Sequence, residues 1–131
     1  MRLRMHTDSE STSLISTGLK TAYNILSLWE CSSEQAQCIL KLSKTSYNKL
    51  KTDPNTVKLN NEQLERISCL LNIHYALRYI FSNPENVRSF MRMKNHNDFF
   101  AGRTPLEIIE KGDFLELKKV ATYIDILRSN L

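Results

Sequence analysis

Histidines, cysteines and paired carboxylates are the side chains that could carry chemistry in this chain, and their spacing argues against it. His6, His74 and His96 fall in separate segments, so they cannot supply the roughly four clustered Cys and His ligands of a zinc site. Cys31, Cys38 and Cys69 are odd in number and contain no C-x-x-C pair. A disulfide framework is not expected from them, and reduced thiols in a cytoplasm fit better. They read as small residues on apolar helix faces, and His74 as a core or boundary histidine. Glu62 with Glu65, and Glu107 with Glu110, have the spacing of paired carboxylates. Glu107, however, has a capping role to fill, and the others lie where helix surfaces carry charge. No glycine-rich phosphate loop occurs. No catalytic residue, metal or cofactor is expected, and the chain reads as a binding protein and not an enzyme.

The charge pattern is more specific. Lys41, Lys44, Lys49, Lys51 and Lys58 stand against Asp53 alone, so residues 41–58 carry as much charge as the whole chain, whose net is +4. A local basic patch points to a polyanion. The surrounding segment has helix-turn-helix proportions. Ser32 opens a first helix with Gln35 as its reciprocal cap, Lys41–Ser43 form the link, and Ser43 caps a second helix. In that motif the second helix enters the major groove, its early residues meeting base edges while neighbours hold phosphates. Ser43, Lys44, Thr45, Asn48 and Lys49 are then the DNA-binding candidates, with Leu40, Leu42, Tyr47 and Leu50 joining the two helices. The competing reading is a surface helix with solvated lysines. Two positions depart from the common pattern: Lys41 where the turn often has glycine, and Gln37 where the first helix often has a small residue.

Helices must position these groups, because strand signals are weak. No alternating apolar and polar run is bounded by turns, and no Asn-Gly or Asp-Gly pair occurs. The expected fold class is all-α. Leu14, Leu19, Tyr23, Leu26 and Trp29 recur near a three-to-four step over residues 13–30. Asp53-Pro54-Asn55 stops the second helix of the basic motif. Asn60 with Gln63 opens a long amphipathic helix whose stripe is Leu64, Ile67, Leu70 or Leu71, His74, Leu77 and Ile80. Ser82 or Asn83 caps the next helix, Pro84 takes its first position, and Val87, Phe90 and Met91 face inward. A last helix, capped by Asp113 with Glu116, carries Leu117, Val120, Ala121, Ile124 and Leu127.

Between these lies the longest irregular piece of the carboxyl half, Lys94–Gly102, followed by the segment GRTPLEII over Gly102–Ile109. Thr104 and Glu107 form a capping box, and Pro105 suits the first helical position. Gly112 suits the left-handed residue after the helix, and Gly102 lets the chain turn into it. A helix start needs no arginine before it. Arg103 is therefore either solvated or free to reach a partner's carboxylate or phosphate with its fork. Phe99 and Phe100 either anchor a partner or fold back onto the core.

The order of features over the carboxyl half resembles the Xre/MbcA/ParS antitoxin family. That order is an amphipathic helix, Asn83-Pro84-Glu85, an aromatic-bearing helix, a loop, then Gly102-x-Thr104-Pro105-Leu106-Glu107-Ile108-Ile109, Gly112, and Val120 seven residues before Leu127. The segment LSKTSYNKL is similar to the family's amino-terminal half, and the likeness covers about Ser13–Leu131. The resemblance implies an Xre-like helix-turn-helix domain over residues 13–58 and a small helical toxin-binding domain over residues 59–131. It further implies the antitoxin of a type II toxin–antitoxin pair. Such a protein occludes a RES-domain toxin that consumes or uses NAD, forms a homodimer and represses its own operator DNA. Arg103, Phe99 and Phe100 are the partner-binding candidates.

Two other readings remain: a stand-alone helix-turn-helix regulator without a toxin, and an interaction module that no longer binds DNA. The totals fit all three. A chain of 131 residues holds one to two small domains, and 41% apolar with 24% charged residues is ordinary for a globular protein. The longest apolar runs are three residues, as at Cys69–Leu71, so no membrane span is expected. Residues 1–12 lack an apolar signal region and are expected to form a disordered polar arm.

Overall fold

A computed structural model describes residues 2–131, with side chains from Ser13 onward. The helices are α1 (Arg2–Leu28), α2 (Ser33–Leu40), α3 (Lys44–Thr52), α4 (Asn61–Ile80), α5 (Pro84–Arg92), α6 (Pro105–Ile109) and α7 (Phe114–Ser129). A single 3-10 turn, Pro54–Thr56, lies between α3 and α4. Among the described residues the chain is all-α, and its one β-type contact is an isolated bridge between Asn95 and Arg103. Residues 2–12, expected as a disordered polar arm, form the start of α1. Met1 and the side chains of residues 2–12 lie outside those described.

Most helices begin as the local sequence dictates. Ser32, Asn60 and Thr104 each accept a backbone N–H from the third helical residue, and Gln35, Gln63 and Glu107 each accept the cap's own N–H in return. Ser43 caps α3, Asp113 caps α7, and Asn83 rather than Ser82 caps α5. Side-chain caps of this kind contribute about 0.5–2 kcal/mol each by satisfying otherwise orphaned donors.

α4 packs along both α1 and α7. This explains why its apolar stripe differs from the expected one. A helix held between two others buries two flanks, so Ile67, Leu70, Ile73, Ala76 and Leu77 are buried while Leu64, His74 and Ile80 are only half-buried. Leu19, Ala22, Ile25 and Leu26 of α1 and Trp29 just past its end enter the core, but Leu14 stays 71% exposed, off the expected stripe. Residues from both sides of position 58 share one core: Trp29, Leu40 and Leu50 belong to the same cluster as Leu70, Leu77, Leu117 and Ile124.

A buried arginine fixes the seam. Arg66 on α4 is 2% exposed, and its guanidinium donates to the carbonyls of Ile39 (3.0 Å) and Gly112 (2.8 Å) and to the Glu62 carboxylate (3.0 Å). The Phe114 ring lies beside it, 5.3 Å from guanidinium carbon to centroid. Desolvation of a charge is tolerated here because these partners take its donors. Gly112 lies directly under α2. Its φ is +83°, and a β-carbon there would stand 3.0 Å from the Cys38 carbonyl oxygen. Nearby, Gln63 Nε2 donates to the Lys41 carbonyl at 2.6 Å, and Gln35 Nε2 to the Glu110 carboxylate. The α6–α7 turn and α4 therefore grip the end of α2.

Candidate interaction surfaces

The basic segment is built from α2, the link Lys41–Ser43 and α3. α2 ends on Lys41 in the left-handed region (φ 58°), with the Leu42 N–H returning to the Gln37 carbonyl at 3.0 Å. A lysine thus occupies the conformation that glycine usually supplies, held by the contacts from Gln63. Leu42, Tyr47 and Leu50 are buried, which fixes the rotation of α3. Tyr23 of α1 packs on Tyr47 with centroids 5.9 Å apart, and burial, then the neighbouring Tyr23, raises the Tyr47 hydroxyl's pKa. Lys44, Thr45, Asn48 and Lys49 are all exposed. At 100° per residue they lie within an arc of about 140°, one helix face. Ser43 is exposed too, but its hydroxyl oxygen accepts the Ser46 N–H as the helix cap.

The loop before α6 is ordered by its own polar groups. Asn95 N–H donates to the Arg103 carbonyl and Gly102 N–H to the Asn95 carbonyl. Asn97 accepts the Phe100 N–H through Oδ1 and donates through Nδ2 to the Tyr123 hydroxyl at 2.6 Å. Ala101 and Gly102 both take positive φ, 52° and 84°. Gly102 is therefore a fixed turn and not a flexible joint. Arg103, which the helix start alone left unexplained, closes its fork on the loop: Nε donates to the Phe100 carbonyl and Nη2 to the Phe99 carbonyl, both at 2.9 Å. It remains exposed at the surface.

The two aromatic candidates separate. Phe100 is fully buried, edge-on to Tyr123 and Phe99, so it folds back onto the core and is corrected from a partner anchor to a core residue. Phe99 is half-buried, stacked on Tyr123 at 4.9 Å and 11°. It lines a shallow hollow of about 390 Å³ with Leu115, Thr122 and Ile126 of α7. On the other flank of α7 a larger groove of about 610 Å³ runs against α4, with Tyr75, Tyr79, Asp125 and Arg128 among its lining. Leu115, Ile126, Tyr75 and Tyr79 were not singled out from the sequence. A second apolar spacing on α7 was the available signal. The structural motif residues sit as expected, Thr104 and Glu107 in a capping box, Pro105 at the first helical position, and Gly112 past the helix end.

The groups considered for chemistry do not converge. Among the described residues no set of three or more His, Cys, Asp and Glu side chains could hold a metal ion. Burial pushes the Cys31 thiol up to about 11, against a smaller lowering by Arg92, and also raises Cys69. Cys38 is exposed rather than a core residue. Burial, then Arg78, lowers His74. No helix among the described residues is long and apolar enough to cross a membrane.

Two comparisons with known proteins bear on these surfaces. Residues 76–129 match the family described as antitoxin Xre/MbcA/ParS C-terminal toxin-binding domain. That stretch begins within α4 and takes in α5, the ordered loop, Arg103, α6 and all of α7. The chain is also similar to the uncharacterized protein y4oB of Sinorhizobium fredii (strain NBRC 101917 / NGR234), with 26% identity over 127 residues, 96% of this chain and 95% of that protein.

Proposed function

Through residues 76–129 the chain belongs to the Xre/MbcA/ParS antitoxin family, and from that premise we propose that it neutralises a RES-domain, NAD-consuming toxin and represses its own operator. The match to a toxin-binding domain carries the antitoxin reading. The DNA-binding part rests on a different observation: two short helices joined at Lys41–Ser43, with Lys44, Thr45, Asn48 and Lys49 on one exposed face. In this reading residues 13–58 dock the operator as a helix-turn-helix, residues 59–131 hold the toxin, and the protein works as a cytoplasmic homodimer without catalysis of its own. Lysines at 44 and 49 suit phosphates or guanine edges, and Asn48 suits adenine.

Co-expression with the product of the adjacent gene tests the toxin part. Rescue of growth and a co-purifying complex are expected, and a harmless product or no complex overturns it. A gel shift on the protein's own promoter tests the DNA part. Lys44→Ala with Lys49→Ala should weaken binding and lower the slope of affinity against salt by about two phosphate contacts. Unchanged binding rejects α3 as the recognition helix.

A further inference from the structure

α7 is apolar on two faces. Leu117, Val120 and Ile124 are buried in the core, whereas Leu115 and Ile126 on the outer side are 58% and 48% exposed. Leu115, Lys119, Thr122 and Ile126 follow a four-three-four step, which places them on one outward stripe. A surface helix ordinarily turns charge outward along its whole length. Here the stripe is apolar at both ends and borders the hollow floored by Phe99 and Tyr123, with Lys118 and Lys119 at its edge.

We infer that this stripe and hollow receive an apolar side chain of the toxin flanked by carboxylates. The inference rests on the toxin-binding reading above, and every residue it uses lies within 76–129. Charge decides the occupant. The hollow's lining holds Lys118 and Lys119 and no carboxylate. Asp125 of the same helix pairs with Arg128 at 2.7 Å, and Glu116 stands 3.9 Å from Lys119 in an exposed pair, which offsets little of the lysine's charge. Lys118 lies over the Phe114 ring, 4.9 Å from its centroid, and stays exposed to a partner. A second copy seated here by a two-fold axis would set one basic hollow, lined by Lys118 and Lys119 with no carboxylate, against another, which lacks charge complementarity. A partner bearing acidic groups around an apolar anchor meets no such penalty.

The test is titration of the full chain with the purified product of the adjacent gene. Ile126→Glu and Leu115→Glu each put a carboxylate into the hollow's edge and should weaken binding roughly ten- to hundredfold. Lys118→Glu with Lys119→Glu, a change confined to exposed side chains, should weaken it about tenfold, and wild-type affinity should fall with added salt. Wild-type affinity in all three variants overturns this docking face and leaves the antitoxin reading standing. A free chain that is dimeric, and that Ile126→Glu alone makes monomeric, assigns the face to a second copy and overturns the inference. No complex with the unsubstituted chain overturns the toxin reading and this inference with it.

Discussion

Cys31, Cys38 and Cys69 look alike in sequence, yet their surroundings give them different reactivity. Only the thiolate attacks a disulfide reagent. Burial holds Cys31 up to about 11 and raises Cys69, so both are protonated at neutral pH and half-covered besides. Cys38 is exposed. With an aromatic disulfide reagent at pH 7.5, one thiol should react promptly and two slowly, and Cys38→Ser should abolish the prompt phase. Three equal rates would reject the burial of Cys31 and Cys69. Arg66 is the other residue whose role depends on surroundings. Replacing it with methionine keeps much of its bulk but strips the Ile39 and Gly112 carbonyls of their donors. Unfolding in urea should show a loss of about 2–4 kcal/mol, since each buried group left without a partner costs about 1–3 kcal/mol. Nothing in the spacing around Arg66 reveals this, because its partners come from positions 39 and 112, far away along the chain.

Helix boundaries depend on near neighbours, and here the sequence is most readable. The capping box Thr104–Glu107 closes with N···O distances of 2.9 and 2.6 Å. Thr104→Ala should therefore cost about 1 kcal/mol and lower the melting temperature by a few degrees, with no change in helix count. An unaffected melting temperature would show that α6 is held by packing of Leu106, Ile108 and Ile109 alone. The boxes at Ser32 and Asn60 are equally legible, since cap and partner are three residues apart. The loop before α6 is not. Its order comes from Asn95, Asn97 and Arg103 bonding backbone groups within the loop and the Tyr123 hydroxyl on α7. Asparagine and arginine fit many loops, so their types alone do not announce that arrangement. The rotation of α3 was legible through Tyr47 and Leu50. That of α4 was not, because a helix pressed between α1 and α7 has no single apolar stripe for periodicity to find.

At the scale of the whole molecule, two proposed roles are carried by one core. The segment proposed to face the operator ends near residue 58 and the one proposed to hold the toxin follows it, yet α4 packs on α1 as well as on α7. Arg66 and Gly112 further tie α2 to the turn before α7. Removing residues 1–58 would leave one long flank of α4 in water, including Ile67, whose side chain lies 3.7 Å from where a β-carbon on Gly18 would stand. Such a fragment loses a large share of its buried apolar area, and small domains have little stability to spare. The full chain should therefore unfold in a single transition. Trp29 fluorescence, reporting from the end of α1, and far-ultraviolet circular dichroism, reporting on all helices, should give coincident curves in urea. Residues 59–131 expressed alone should show a weakened or non-cooperative transition. Two separated transitions in the full chain would instead mean that the segments are independent domains, and that Arg66 joins them without making them fold together.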